Sequence, residues 1–333
     1  MDLSVFFAGT AGSIPTVRRG LPALLVRRGG ERILFDCGEG TQRQLVRSVG
    51  LTDLDEIFLT HFHADHWLGL PGMLKTFDLR TRERPLAIYG PAGLRELIAL
   101  ALRAAGRVRF ELKLIEVGPG DVLERDGYAI APIEVSHRVN ALGYVICEHA
   151  RPGEFDPQAA ERLGVTPGPE FGRLQRGEIV RGVTPEQVMG PPRPGRKLVI
   201  SGDTAPCESV RLAAHRAEVL IHEATFAEEE AERAAETRHT TAGQAAAIAR
   251  AAEVTMLALT HFSTRYAPSV LRDEARAIFS ATVVPRDFDT IEIPFPERGQ
   301  PTLVHWEDRP RPEAEAAELH TADAQAALTE ESP

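Results

Sequence analysis

Apolar and polar positions alternate in short blocks along most of the chain. Positions 3–8 form an apolar run that stops at Gly9. Two further runs, 23–28 and 31–35, flank Gly29-Gly30, a dipeptide that favours a tight hairpin turn. EIFLT at 56–60 has the pattern of a short buried strand, as do 86–89, 110–117, 121–124, 128–135 and 143–148. Helical spacing covers 39–49. A second helix is predicted over 91–105, with Pro91 at its start and Gly106 just past its end. Alternation of strands and helices resumes at 197–200, 207–214 and 218–221. Helices over 227–236 and 241–252 follow, then a strand at 254–260, a helix at 268–279 and strands near 281–284 and 290–293. Strands with late helices in both halves predict an α/β core of two mixed sheets flanked by helices.

Composition bounds what such a core can do. The chain has 333 residues, 43% hydrophobic and 26% charged, within the ordinary globular range. Three scattered cysteines, Cys37, Cys147 and Cys207, exclude a disulfide scaffold and a Cys-based zinc site, and predict a reducing, cytoplasmic setting. No apolar run approaches ~18 residues, so no membrane span is expected. The net charge is −10, which opposes bulk attraction to nucleic acid. One stretch departs from that balance. Residues 151–197 carry eight basic and six acidic residues and are rich in Pro and Gly, as in RPGEFDPQ and MGPPRPG. Residues 151–195 are read as an inserted, flexible, projecting arm. After 298 the chain is Ala-, Glu- and Pro-rich, and 299–333 is expected to be a disordered acidic tail behind a catalytic domain at 1–298.

The chemistry concentrates in six polar clusters, each placed directly after a short apolar run. They are LTHFHADHWLGLPG (59–72), IEVSHRV (133–139), LVISGDTAP (198–206), VLIHEATF (219–226), TRHTTAGQ (237–244) and LALTHFSTRY (257–266). Loops at strand ends commonly carry metal ligands and catalytic groups. The densest cluster holds His61, His63, Asp65 and His66. Imidazole and carboxylate without thiolate suit zinc in a hydrolytic site, with manganese or iron as other options. Adding His137, Asp203 and His261 gives seven N/O donors, enough for two ions with one carboxylate between them.

HFHADH, a lone later His, SGDT, HEAT (222–225) and THFSTRY (260–266) together resemble the metallo-β-lactamase superfamily. Within it they resemble the ribonuclease Z family of tRNA 3′-processing endoribonucleases. PGPEFGRLQRG (167–177) resembles that family's inserted arm, and the likeness runs from about Asp2 to Pro296. The resemblance implies an αβ/βα sandwich with two zinc ions per subunit. By it, His61, His63 and His137 hold one zinc, Asp65, His66 and His261 the other, and Asp203 bridges them. His63 stands where an iron-binding branch has Glu, which favours zinc. Asp65 is implied to take the proton of the attacking water. His239 is implied to protonate the leaving oxygen, oriented by Glu223.

The family resemblance also implies partners. The arm clamps the folded elbow of tRNA, with Gly168 and Gly172 admitting backbone amides to phosphates and Arg173 and Arg176 supplying charge. The loop GTAGSIPTVRRG (9–20) meets nucleotides beside the cut. Arg19 matches the family's common form, whereas Val17 and Gly20 replace its Lys and Asn. A homodimer acting on tRNA precursors, without a membrane, is implied. Two other readings use the same residues. One is a phosphodiesterase of small phosphodiesters, for which an arm is superfluous. The other is a non-catalytic RNA-binding protein with a metal site, which an intact ligand set argues against.

Overall fold

The computed structural model describes residues 2–51 and 53–308. Among these residues, fifteen strands form two sheets packed face to face. The first has eight strands in the order Thr302–Val304, Thr290–Glu292, Leu3–Gly9, Ala23–Arg28, Glu31–Phe35, Glu56–Phe58, Leu86–Gly90 and Leu112–Glu116. The second has seven, in the order Thr282–Val283, Met256–Thr260, Val219–Glu223, Lys197–Ile200, Leu142–Glu148, Tyr128–Glu134 and Leu123–Arg125.

Side-chain alternation explains the layering. Successive residues on a strand point to opposite faces. Val5, Phe7, Val26, Ile33 and Phe35 therefore enter the core between the sheets, against Tyr128, Tyr144, Ile146, Leu198 and Ile221. Their neighbours Phe6, Ala8, Leu25 and Leu34 face outward, beneath helix Leu70–Leu79 and helix Leu94–Ala105. The second sheet is covered by helix Ala242–Ala251, whose alanines allow close approach, and by helix Pro268–Ile278. Helices thus cover the central strands of each sheet on the outer side, leaving positions such as Cys147 exposed, and the result is a four-layer αβ/βα sandwich, the expected fold class.

No helix is predicted over Leu70–Leu79 in the sequence, where the structure has one. Pro71 lies in the first turn, where its missing N–H costs nothing, and Leu70, Met73, Leu74 and Phe77 recur at helical spacing on the buried face. Two predicted helices are shorter than expected. Gly40 and Gly93, at φ +86° and +101°, hold the chain in left-handed turns until Thr41 and Leu94.

The expected tail boundary needs correction. Residues 299–308 are part of the body: Thr302–Val304 is an edge strand beside Thr290–Glu292, and the Trp306 indole packs on Phe6 and Phe288. Three residues between polar stretches are too short to register as a strand in sequence. Residues 309–333 of that expected tail lie outside the described residues. The arm has a fold of its own. Helices Pro157–Arg162 and Pro169–Gln175 enclose a small core of Ala160, Val165, Leu174, Val180, Val183 and Val188.

The arm is rooted at the end of the sandwich where strand Leu142–Glu148 finishes and Lys197–Ile200 begins. There Arg151 and Arg193 pair through their backbones, and both side chains reach Glu297. The Arg151 and Arg196 guanidinium carbons lie 3.5 and 3.9 Å from the Phe295 ring centroid. Buried Glu148 accepts from Arg28 Nε at 3.0 Å and Arg196 Nε at 2.7 Å, joining the two sheets. Removing that carboxylate strands two buried cations. Glu148→Ala should therefore cost about 3–5 kcal/mol in urea unfolding. A loss below 1 kcal/mol would show that the network contributes little.

Candidate metal centre

The histidine and aspartate clusters come together at the other end of the sandwich. Strands Glu56–Phe58, Tyr128–Glu134, Lys197–Ile200, Val219–Glu223 and Met256–Thr260 all run toward that edge, and the loops after them deliver the polar groups. His61 and His63 follow the first of these strands, and Asp65 and His66 occupy the short helix Ala64–Trp67. His137, Asp203 and His261 follow three others. Among the described residues, donor atoms converge in overlapping groups: His61, His63, His137 and Asp203; Asp65, His66 and His261; and Asp203, His239 and His261. All seven predicted ligands are therefore in one place.

Asp203 is the hub. Its Oδ2 lies 3.8 Å from His61 Nε2, 3.4 Å from His66 Nε2 and 3.2 Å from His261 Nε2. Asp65 Oδ2 is 3.6 Å from His66 Nε2 and 3.4 Å from His261 Nε2. His137 Nε2 lies 3.3 Å from His63 Nδ1. The Nε2 atoms of His61, His66 and His261 are buried and make no hydrogen bond among the described residues. Buried imidazole nitrogens without partners are costly in a protein interior. Three of them aimed at one buried carboxylate fit a divalent cation of the N/O-ligated kind.

The opposite ring nitrogens are each fixed by a partner, which decides the atom turned inward. His66 Nδ1 meets Asp36 Oδ2 at 2.8 Å, His61 Nδ1 meets Thr60 Oγ1 at 3.0 Å, and His261 Nδ1 meets Thr225 Oγ1 at 2.8 Å. His137 Nδ1 meets the Arg238 carbonyl at 3.0 Å. Asp36 in turn accepts from Thr60 N at 2.8 Å. Asp36, Arg238 and His261 have φ of +58°, +56° and +59°, a left-handed backbone uncommon outside glycine. Such strain concentrates at functional sites. Gly12 is required nearby, because a Cβ there would sit 2.5 Å from the His261 ring.

Charge balance follows from this packing. Burial lowers the His61 imidazolium well below its usual range, helped by neighbouring His66. Burial would lower His66 too, but Asp203 and Asp36 outweigh it and hold that ring well above the ordinary value. For Asp203, burial favours the neutral acid, yet the surrounding imidazoles overcome it and keep the carboxylate ionised.

Glu223 and His239 form a second unit beside the hub. Their Oε1–Nδ1 distance is 2.8 Å. Glu223 also accepts from Thr204 N at 2.7 Å, Thr225 Oγ1 at 2.5 Å and Thr240 N at 3.2 Å, so a buried carboxylate is fully bonded. Burial would lower His239, but the Glu223 charge and hydrogen bond, with Asp203, raise it to about 9. Thr241, not His239, caps helix Ala242–Ala251, in a capping box with Gln244. The His239 ring is thereby free to line a small cavity open to solvent.

Asp36, Thr60 and Thr225 were missed as site residues. Asp36 opens DCGEG directly after strand Glu31–Phe35, the same strand-end placement that marks the ligands. The predicted RNA contacts lie elsewhere. Arg19 is half-buried, its guanidinium bonded to Thr10 Oγ1 and to Pro285 O at 3.1 Å, and it braces the 9–20 loop. Arg173 and Arg176 are exposed and share Glu178, at 2.7 and 3.5 Å. Gly168, at φ +117°, precedes helix Pro169–Gln175, which contains Gly172.

The metallo-β-lactamase superfamily model matches residues 19–240. A ribonuclease Z of Methanosarcina acetivorans is 46% identical over 302 residues, covering 88% of this chain and 99% of the relative. One from Myxococcus xanthus is 47% identical over 303 residues, covering 88% and 98%. The chain belongs to the ribonuclease Z family. Crystal structures agree with that placement. The short form of human tRNase Z superimposes with a TM-score of 0.65 at 27% identity, over 87% of this chain and 99% of that one. The metallo-β-lactamase fold protein YhfI of Bacillus subtilis gives 0.66 at 21% identity and shares the fold.

In this ribonuclease Z family member, the Asp36–His66 bond should matter for metal retention. Asp36→Ala should weaken divalent-metal binding about 10–100-fold in chelator competition, because His66 loses its orienting partner. Unchanged affinity would refute that role.

Proposed function

We propose that this chain is a zinc-dependent endoribonuclease that removes the 3′ trailer from tRNA precursors, leaving a 3′-hydroxyl on the tRNA and a 5′-phosphate on the trailer. The observation that carries this reading is the convergence of seven N/O donors beside the buried Glu223–His239 pair, in a ribonuclease Z family chain that keeps the inserted arm. His61, His63 and His137 would hold one zinc, Asp65, His66 and His261 the other, with Asp203 between. Two such ions, when bound, supply Lewis-acid stabilisation of phosphoryl charge and lower the pKa of water.

The protein's own groups perform the remaining work. The Ser13 N–H fixes Asp65 Oδ2 at 2.8 Å, which supports the role that the family resemblance implies for Asp65, taking a proton from the attacking water. The tRNA 3′-oxygen is a poor leaving group until protonated. His239, kept cationic and oriented by Glu223, is the proton donor, a contribution of ~10²–10⁴-fold. The arm holds the tRNA body through Arg173, Arg176 and the backbone at Gly168 and Gly172, by shape rather than sequence. Its root lies a strand length from the centre, roughly 20 Å. The family resemblance implies a homodimer in which one copy's arm serves RNA bound at the other. Among the described residues no helix is long and apolar enough to cross a membrane, and the few cysteines support a cytoplasmic setting.

Mapping both product ends of a cleaved precursor tests the reaction directly. Asp65→Ala should abolish cleavage with folding intact, and His239→Ala should lower kcat about 10²–10⁴-fold. Full activity in either variant would sink the assigned role. Deleting 153–194 and joining the ends should sharply reduce precursor cleavage while sparing a small phosphodiester. Equal loss of both would remove the arm from RNA binding.

A further inference from the structure

The 9–20 loop separates two cavities. Gly12, Ser13 and Ile14 line the one that contains His239. Pro15 to Gly20 line the other, a groove of about 830 Å³ shared with the segments around Arg43, Arg286 and Trp306. Five arginines border this groove: Arg18, Arg19, Arg43, Arg47 and Arg286. Four carboxylates also border it, so its character depends on which charges are already spent.

Two of the acids are committed to the protein. Asp287 accepts from Thr10 Oγ1, Gly20 N and Gln44 Nε2, each at 2.6 Å. Asp289 accepts from Arg286 N and His305 Nδ1 at 2.9 Å and Trp306 N at 3.1 Å. Glu39 and Glu307 are exposed, and Glu307 lies 3.9 Å from Arg286. On the basic side, Arg19 is spent on the loop. Arg18 and Arg43 are exposed and have no ion pair or side-chain hydrogen bond among the described residues. Arg47 is exposed, 5.7 Å from the Phe288 ring, and among the described residues its side chain donates only a 3.4 Å bond to Gln44. The groove therefore offers uncommitted guanidinium groups above a half-buried aromatic floor of Phe288 and Trp306. That combination suits a single-stranded polyanion with flat bases.

Direction follows from the catalytic pair. His239 protonates the oxygen that stays with the tRNA, so the tRNA side of the cut faces its cavity. The nucleotides beyond the phosphate must leave on another side, and the same loop that touches Asp65 through Ser13 leads into the arginine groove. We propose that this groove binds the single-stranded trailer 3′ of the cut, with Arg43 and Arg47 meeting its phosphates. The proposal rests on the tRNA-precursor reading above and adds to it a preference for longer trailers.

The test compares two precursors, with trailers of one and of ten nucleotides, on the full-length protein and on Arg43→Ala/Arg47→Ala. The double variant should raise KM about tenfold for the long trailer, leave kcat unchanged, and alter the one-nucleotide precursor by less than twofold. Equal losses on both precursors, or none on either, would overturn the groove. A direct measurement stands apart from catalysis. A 5′-phosphorylated ten-nucleotide RNA should bind the wild-type chain at least tenfold more tightly than the double variant, with a salt slope steeper by about 1.4 for two single-strand phosphate contacts. Identical affinities and slopes would also overturn it. Failure of the wild-type chain to cut either precursor would count against the proposed function, and the oligonucleotide measurement would still judge the groove.

Discussion

One buried carboxylate oxygen organises this protein. Asp203 Oδ2 is surrounded at 3.2–3.8 Å by three imidazole nitrogens that have no hydrogen bond of their own among the described residues. Burying a carboxylate and several unpaired rings together is unfavourable unless charge is exchanged within the cluster or a cation enters it. The sandwich makes the arrangement affordable. Four strand ends hold the donors rigidly at one edge, while the core between the sheets supplies the stabilisation that the site itself does not. Outside the cluster, Asp36, Thr60, Thr225 and the Arg238 carbonyl each bind the ring nitrogen that faces away, so the unsatisfied atoms all point inward. Cost and preorganisation are two aspects of the same geometry.

That geometry was largely legible in the sequence because chemistry and period coincide. Short apolar runs followed by His or Asp mark strand ends, and seven donors at four such ends leave few alternatives to a shared site, whereas TRHTTAGQ, read the same way, follows helix Ala231–Thr237 instead. The hairpin at Gly29-Gly30 and the strand Lys197–Ile200 have their predicted bounds. The misses have physical reasons. Asp36 supports a ligand without being one, so it carries no ligand spacing. Helix Leu70–Leu79 begins with Pro71-Gly72, which mimics a turn, although its buried stripe at 70, 73, 74 and 77 has helical period. The edge strand Thr302–Val304 is too short to stand out from a Pro- and Glu-rich background, and only its packing through Leu303 and Trp306 reveals it. The arm's Pro and Gly content concealed a folded unit, because six small and medium apolar residues spread over about thirty positions show no simple period.

The arm and the body are joined by a small number of strong contacts. Glu297 takes both Arg151 and Arg193, and the Phe295 ring has the Arg151 and Arg196 guanidinium groups close to it. Beyond that root, the arm's core contains no residue of the sandwich. Such a unit keeps its own shape while remaining separable from the catalytic end.

Electrostatics sets the remaining constraint. A chain of net charge −10 repels RNA at long range, so attraction must come from local groups within about a Debye length, ~8 Å at physiological salt. The arginines in question are not all free. Arg173 and Arg176 share Glu178 on the surface of the arm, and exposed pairs of this kind are worth only about 0–1 kcal/mol. A phosphate can therefore take over these guanidinium groups at small cost, with Glu178 returning to water. The same reasoning separates Arg19 from its neighbours. It is half-buried and bonded to Thr10 and Pro285, so moving it would open the base of the loop whose Ser13 N–H holds Asp65. Charges that can change partners lie at the periphery, and charges that cannot are built into the frame of the centre.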